Sequence, residues 1–467
     1  MRFDTIVKGG RAVLPGGIGE TEIGIAGERI AAIGECLPAD ESTRIVDASG
    51  MIVFPGVIDA HVHLELPVGD TVSADDFRTG TRAGARAGVT TVIDFATPEG
   101  EEGLEEAVDA RLRAAEGKCL VDYSLHVCIT DWDRQKEEVP GLVRRGFPTY
   151  KEFMIYEERG LRSDSGAMED TLLALRDRGA MLLVHAESAS IIARETARLR
   201  DPERMRAEGV RLHVLSRPPE AEAEAVREAA ALCGKTGSPL YVVHLSTGAG
   251  AAAIESAREK GAPLFAETCP QYLVLDESVF DRPDGHLFAT CPRVGTSADR
   301  EKLWSALGEG TVDTVATDTC SFTPEQKDAW GGDWTKIPMG LPGLETLLPL
   351  VVTYGVRAGR IGWERAAEVL SAAPARLMGL APRKGAIAVG ADADLALLDP
   401  EEVRSLRAEE MEGGAGWSPY EGRELAGFPR TVFSRGEIIV EEGRVVGREG
   451  RGEFLSREEA GRRPFRW

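Results

Sequence analysis

The chain has 467 residues, 43% hydrophobic and 28% charged, and its 55 basic and 77 acidic residues give a net charge of −22. This length and composition suit a large globular core, either two or three domains or one barrel with an appendage. The acidic balance argues against nucleic acid or an anionic membrane surface as partner, and no apolar run reaches the roughly eighteen residues needed to span a membrane.

Residues 1–52, with "RFDTIVKGGRAVLPG" and "TEIGIAGERIAAIGE", read as a meander of short strands. The same N-terminus holds no apolar signal core, so a cytoplasmic location is expected. From residue 53 to 380 the pattern changes. Eight β-branched runs are predicted as strands, at 53–63, 90–96, 121–129, 147–154, 181–187, 240–246, 264–270 and 311–318. Between them, "DDFRTGTRAGARAG", "MEDTLLALRDRG", "EAVREAAALCGKTG" and "ADREKLWSALGEG" carry apolar residues at three- and four-residue spacing and end in or near glycine, as amphipathic helices do. Eight such units predict an α/β fold, a (β/α)8 TIM barrel. Residues 381–450 return to short strands and Gly turns, so the two ends are expected to build one small β-sandwich domain. The Arg-rich tail, 451–467, is expected to pack on the domain or on a partner chain.

Chemistry in this fold gathers at the carboxyl ends of the strands. Those ends carry His61 and His63 on the first strand, Lys151 on the fourth, His185 on the fifth, His244 on the sixth and Asp318 on the eighth. Residues i and i+2 of a strand share a face, so His61 and His63 can hold one ion together, and imidazole suits zinc and its neighbours. Any one of the four histidines could be a core residue with a single satisfied hydrogen bond, but four at one mouth point to a metal. Lys151, in "TYKEFMIY", is one of only ten lysines. Apolar surroundings would lower its pKa and leave an amine able to take up carbon dioxide as a carbamate, a carboxylate that could bridge two cations. The bland alternative is a lysine whose head reaches out to solvent. Asp318 could ligate a metal and accept a proton. Asp94, His126 and Glu267 read as interior or supporting groups, and His213 and His286 carry no signal. The seven cysteines, scattered and without CxxC spacing, read as reduced thiols.

The segments "FPGVIDAHVHLELP", "YKEFMIY", "LLVHAES", "VVHLST", "ETCPQYLVLD", "IPMGLPGLET" and "PRKGAIAVGADADL" resemble the cyclic amidohydrolases of the amidohydrolase superfamily, the hydantoinases and dihydropyrimidinases above all. The resemblance runs over nearly the whole chain. It implies two divalent metal ions, zinc in most relatives, with His61 and His63 on one ion, His185 and His244 on the other, an N-carboxylated Lys151 between them, and Asp318 as ligand and base. It implies that a metal-bridging hydroxide opens the amide of a small cyclic ureide or imide while Tyr156 stabilises the oxyanion, and it implies a homo-oligomer, tetramer or dimer.

Three departures bear on substrate binding. Thr319-Cys320-Ser321-Phe322 stands where relatives have His after the strand-eight Asp, Cys291 replaces a serine with its neighbouring arginine displaced, and Met339 replaces an asparagine. Backbone contacts at Cys291 and Met339 would survive these changes. An allantoinase or another cyclic amidohydrolase is the alternative within the superfamily, and a non-catalytic scaffold of the dihydropyrimidinase type is the alternative outside enzymes. The loop Tyr156-Glu157-Glu158-Arg159-Gly160 is charged where relatives often place apolar side chains, so it either faces solvent or favours a polar ring substituent.

Overall fold

The computed structural model describes residues 2–461. Eight parallel strands pair in sequential order around one sheet: β1 Val57–Asp59, β2 Val89–Ala96, β3 Asp122–Cys128, β4 Thr149–Phe153, β5 Met181–His185, β6 Leu240–Val242, β7 Leu264–Thr268 and β8 Thr314–Val315. Nearly every residue in them is buried, as expected for parallel strands covered by helices on one face and packed barrel interior on the other. The ring closes beyond the last strand. Val62 bridges Thr319 in parallel, His63 N donates to Thr319 O at 2.8 Å, and the Asp59 carboxylate receives Thr317 N at 3.0 Å and its hydroxyl at 2.6 Å. Together with the interstrand helices this makes the expected TIM barrel.

The helices begin and end where capping chemistry allows. Asp76 caps Phe77–Arg86 and Thr296 caps Ser297–Glu309 in capping boxes, and Gly237 and Gly310 take left-handed conformations that end Pro219–Thr236 and Ser297–Glu309.

Both chain ends build the β-rich domain. One sheet orders Arg29–Gly34, Glu22–Ala26, Thr5–Lys8 and Arg44–Asp47. The other runs from Arg444–Val445 through Glu437–Glu441, Pro429–Ser434 and Leu395–Leu398 to Ile52–Pro55, Arg11–Leu14 and Gly17–Glu20. The single strand expected over 53–63 is therefore two. Ile52–Pro55 pairs antiparallel with Leu395–Leu398 in the β-domain, and only Val57–Asp59 enters the barrel. Gly56 is the hinge, because a Cβ there would lie 2.3 Å from the Thr90 hydroxyl and 2.6 Å from Asp394 Cβ. At the junction of the two units the fully buried Lys384 ammonium pairs with Asp122 at 2.6 Å, Asp394 at 2.8 Å and Asp392 at 3.0 Å.

The tail packs on its own barrel as far as residue 461. Tyr123 N donates to Glu453 O, Leu455 N to Tyr123 O, Arg457 N to Gly146 O and Ala460 N to Gly179 O, which lays the segment across the amino ends of the central strands. Residues 462–467 of the expected tail lie outside the described residues. No helix of the described chain is long and apolar enough to cross a membrane.

Candidate active site

The carboxyl ends of the strands open into a cavity of about 2360 Å³, and all nine residues singled out from the sequence line it: His61, His63, Lys151, Tyr156, His185, His244, Cys291, Asp318 and Met339. His61 and His63 lie just past β1 with ring centroids 5.2 Å apart, and their Nε2 atoms approach one Asp318 oxygen at 3.1 and 3.3 Å. These three groups offer ligand atoms within 4.8 Å of one another. His185 ends β5 and His244 follows β6, their rings 4.5 Å apart, and His244 lies 5.5 Å from His61. Lys151, on β4, points its Nζ among the rings of Phe153 at 5.2 Å and Phe95 at 5.7 Å.

Backbone conformation is unusual at these positions. Tyr156, His244 and Asp318 take positive φ of 73°, 43° and 50°, three of the six non-glycine residues that do so among the described chain. Left-handed backbone in residues with a Cβ is costly and concentrates where a side chain must be aimed.

Burial sets the protonation states. His61 and His244 are held neutral, far below the ordinary imidazole value, chiefly by desolvation, and His185 is lowered by the same cause despite Glu187. Burial brings the Lys151 amine down to about 8 against the opposing pull of Asp318 and Glu267. Burial also works to raise the Asp318 carboxyl, but the hydrogen bond from His63 and the charge of Lys151 oppose it, and the carboxyl stays below its ordinary value.

A cation fits this donor set. His61 has a carboxylate oxygen against each ring nitrogen, Glu267 Oε1 at 2.7 Å from Nδ1 and Asp318 Oδ1 at 3.1 Å from Nε2. A neutral ring has one proton for two acceptors. With the proton directed to Glu267, the Nε2 lone pair faces an anionic oxygen, an arrangement that a shared metal ion turns from repulsion into ligation. His244 Nδ1 is also buried, with no hydrogen-bond partner among the described residues. Tyr241 donates to Glu267 Oε2 at 2.9 Å and His244 N to Oε1 at 3.1 Å, which anchors that carboxylate. His185 Nε2 meets Glu187 Oε2 at 2.8 Å, and Arg217 pairs with the same oxygen. Burial would raise Glu187, but Arg217 and His185 bring it down to about 2.

Several residues in the wall and behind it lie beyond the sequence reading. His213, which carried no signal there, is buried and lines the cavity, with its Nε2 3.0 Å from Thr290 O. Its burial, with Arg217 nearby, lowers it to about 3. The fully buried Lys327 donates to Ala289 O at 2.9 Å, the same carbonyl that Gly340 N reaches at 3.1 Å. These bonds tie the Thr290-Cys291 and Met339-Gly340 segments together. His213 had a faint marker, the apolar neighbours Leu212, Val214 and Leu215, whereas Lys327 in "TPEQKD" had none. Arg293, the displaced arginine, donates to Arg217 O at 2.8 Å and does not border the cavity. Glu157, Glu158 and Arg159 are exposed and also line the cavity rim, with the Arg159 guanidinium 5.6 Å from the Tyr156 ring centre.

The pattern of the amidohydrolase family matches residues 52–439. The D-hydantoinase of Geobacillus stearothermophilus is 39% identical over 98% of this chain and 97% of its own, and a D-phenylhydantoinase of Escherichia coli is 38% identical over 94% of each. The crystal structure of a dihydropyrimidinase from Brevibacillus agri superimposes with a TM-score of 0.94 at 35% identity, covering 98% of this chain and all of the other. With a barrel mouth of this make-up and likeness over almost its full length, the chain belongs to the amidohydrolase family, among the hydantoinases and dihydropyrimidinases.

Proposed function

We propose that this cyclic amidohydrolase opens the amide bond of a cyclic ureide or imide of the hydantoin or dihydropyrimidine type. The observation that carries the reading is the convergence of four histidines, Lys151 and Asp318 with Tyr156 on one cavity, in a chain whose relatives are hydantoinases and dihydropyrimidinases. We assign His61, His63, His185, His244, Asp318 and an N-carboxylated Lys151 to two divalent ions, zinc by the chemistry of the donors. Bound there, the ions supply Lewis acidity and a water activated at neutral pH.

The protein's own groups do the rest. A neutral Lys151 amine, favoured by burial, is the form that adds carbon dioxide. Asp318, ionised and set between the two β1 histidines, accepts the proton of the attacking water and returns it to the ring nitrogen as the C–N bond breaks. Tyr156 packs with its ring centre 5.2 Å from that of His185, and burial raises its pKa well above 10, so it remains a hydrogen-bond donor to the oxyanion. The Cys291 and Met339 segments, held in register through Ala289 O, offer backbone groups to the flat imide edge, which makes the identity of those two side chains secondary. Arg159 at the rim favours a polar or acidic substituent on the ring.

Incubation of the purified protein with hydantoin, dihydrouracil, allantoin and dihydroorotate tests the assignment. Ring opening of the first two is expected. Turnover confined to allantoin or dihydroorotate would move the protein to another branch, and no turnover of any of the four by metal-loaded protein would contradict the hydrolase reading.

A further inference from the structure

The barrel interior is threaded from floor to mouth by a hydrogen-bonded column that begins in the C-terminal tail. Arg457 enters the floor between strands and is buried, with Nε on the Ser124 hydroxyl at 2.9 Å, one Nη on Met378 O at 3.1 Å, and the other on Leu125 O and on Thr149 Oγ1, the last at 2.7 Å. Among the described residues no carboxylate lies within ion-pair distance of it, so its burial is matched only by neutral acceptors. Thr149 Oγ1 lies 2.7 Å from His126 Nδ1, and His126 Nε2 lies 2.9 Å from Ala60 O, the carbonyl of the peptide that His61 follows.

The direction of every bond in this column is set by its ends. A guanidinium only donates and a carbonyl only accepts. Thr149 therefore receives from Arg457 and passes its own proton to His126 Nδ1, which leaves the proton of the neutral ring on Nε2, directed to Ala60 O. The alternative, an imidazolium donating from both nitrogens, would place a second buried cation beside Arg457, and burial and Arg457 both hold His126 far below the ordinary imidazole value. The His126 ring also packs on Phe95 at 4.8 Å, and Phe95 stacks on His63 at 4.7 Å and leans on His61 at 4.8 Å.

We propose that Arg457 is a positioning residue for the metal site: acting through Thr149, it locks the tautomer and orientation of His126, which holds the Ala60 carbonyl and the Phe95 platform that aim His61 and His63. This rests on the reading of the mouth as a metal centre. The tail is then a working part of the site, although it crosses the opposite end of the barrel.

The test uses full-length Thr149→Val and Thr149→Ser, with Arg457→Gln as a second break in the column, in protein labelled with isotopic histidine. Two quantities are read: the His126 ring shifts in metal-stripped protein, assigned with His126→Asn, and the rate at which zinc is lost to a chelator. The parent and Thr149→Ser are expected to show one Nε2–H tautomer. Thr149→Val and Arg457→Gln, still folded by circular dichroism, are expected to show a tautomer mixture and to lose zinc roughly 10- to 100-fold faster, the range typical when a group supporting a ligand is removed. An unchanged single tautomer in folded Thr149→Val, or zinc loss within about twofold of the parent, would overturn the proposal. Should Arg457→Gln fail to fold, the Val and Ser pair decides alone. A parent that holds no zinc would overturn the metal reading instead, and the tautomer signal would still decide whether the column exists.

Discussion

Glu267 Oε1 stands 2.7 Å from Nδ1 of His61, and both side chains are buried. One nitrogen of the imidazole is thus tethered to β7 while the other is turned toward Asp318. A carboxylate in this place orients the ring and makes it a better ligand. Glu267→Gln keeps the shape but weakens the acceptor. It is expected to lower metal affinity by about 10- to 100-fold, measured by competition with a chromophoric chelator. Affinity equal to the parent's would show that the pair is only structural.

Lys151→Ala is expected to lose the bridge between the proposed metal positions and with it activity, because no other carboxylate projects from β4 into the group of histidines. A short carboxylic acid such as acetate or propionate, supplied at high concentration, is expected to restore part of the turnover by taking the place of the carbamate. Full activity with two bound ions in the unrescued variant would remove Lys151 from the mechanism.

The six ligand-type residues and the barrel were legible in the sequence for one reason. Five of them end or follow an apolar, largely β-branched run and Lys151 lies within the fourth strand, and in a (β/α)8 barrel side chains toward such ends converge. His213, Arg217 and Lys327 were not legible, because each lies in a segment between strands, and only tertiary packing turns these polar residues inward, the first two onto the cavity and Lys327 onto the Ala289 carbonyl behind it. The break at Gly56 was hidden for a related reason. Ile52–Pro55 and Val57–Asp59 are equally apolar, and nothing local says that the first pairs with residues some 340 positions away. Arg457 looked like one more charge in an Arg-rich tail, and its burial follows from where the tail lies, not from its neighbours in sequence.

Arg159 bears on the substrate. Its guanidinium is exposed, so a charge-assisted bond to a substituent is worth about 1 kcal/mol or less, close to a fivefold effect. Arg159→Ala is expected to lower the ratio of kcat/KM for a carboxyalkyl hydantoin to that for phenylhydantoin by about that factor, with little change for unsubstituted hydantoin. A clear preference for the phenyl compound that survives the substitution unchanged would rule out this role.

Lys384 joins the β-domain to the barrel, and stability should report it. Its burial disfavours the ammonium, but Asp394, Asp122 and Asp392 outweigh that and raise its pKa. The folded value lies above the unfolded one, so the contribution is complete below about pH 10 and fades only as pH rises toward the folded value. Lys384→Met removes the cation and leaves buried carboxylates, at an expected cost of about 3–5 kcal/mol. The difference from the parent in urea unfolding is expected to be the same at pH 7 and pH 9. A loss under about 1 kcal/mol, or one that disappears by pH 9, would contradict this assignment.

The most direct measurement of the central claim is metal content read together with turnover, in the parent and in Asp318→Asn. The parent is expected to hold about two divalent ions per chain, to lose ring opening of hydantoin or dihydrouracil on chelation and to regain it with zinc. Asp318→Asn is expected to keep at least one ion, because the amide oxygen can still coordinate, while kcat falls by about two to four orders of magnitude for want of a proton acceptor. Metal-free protein with undiminished turnover after chelation, or near-normal kcat in Asp318→Asn, would contradict the account.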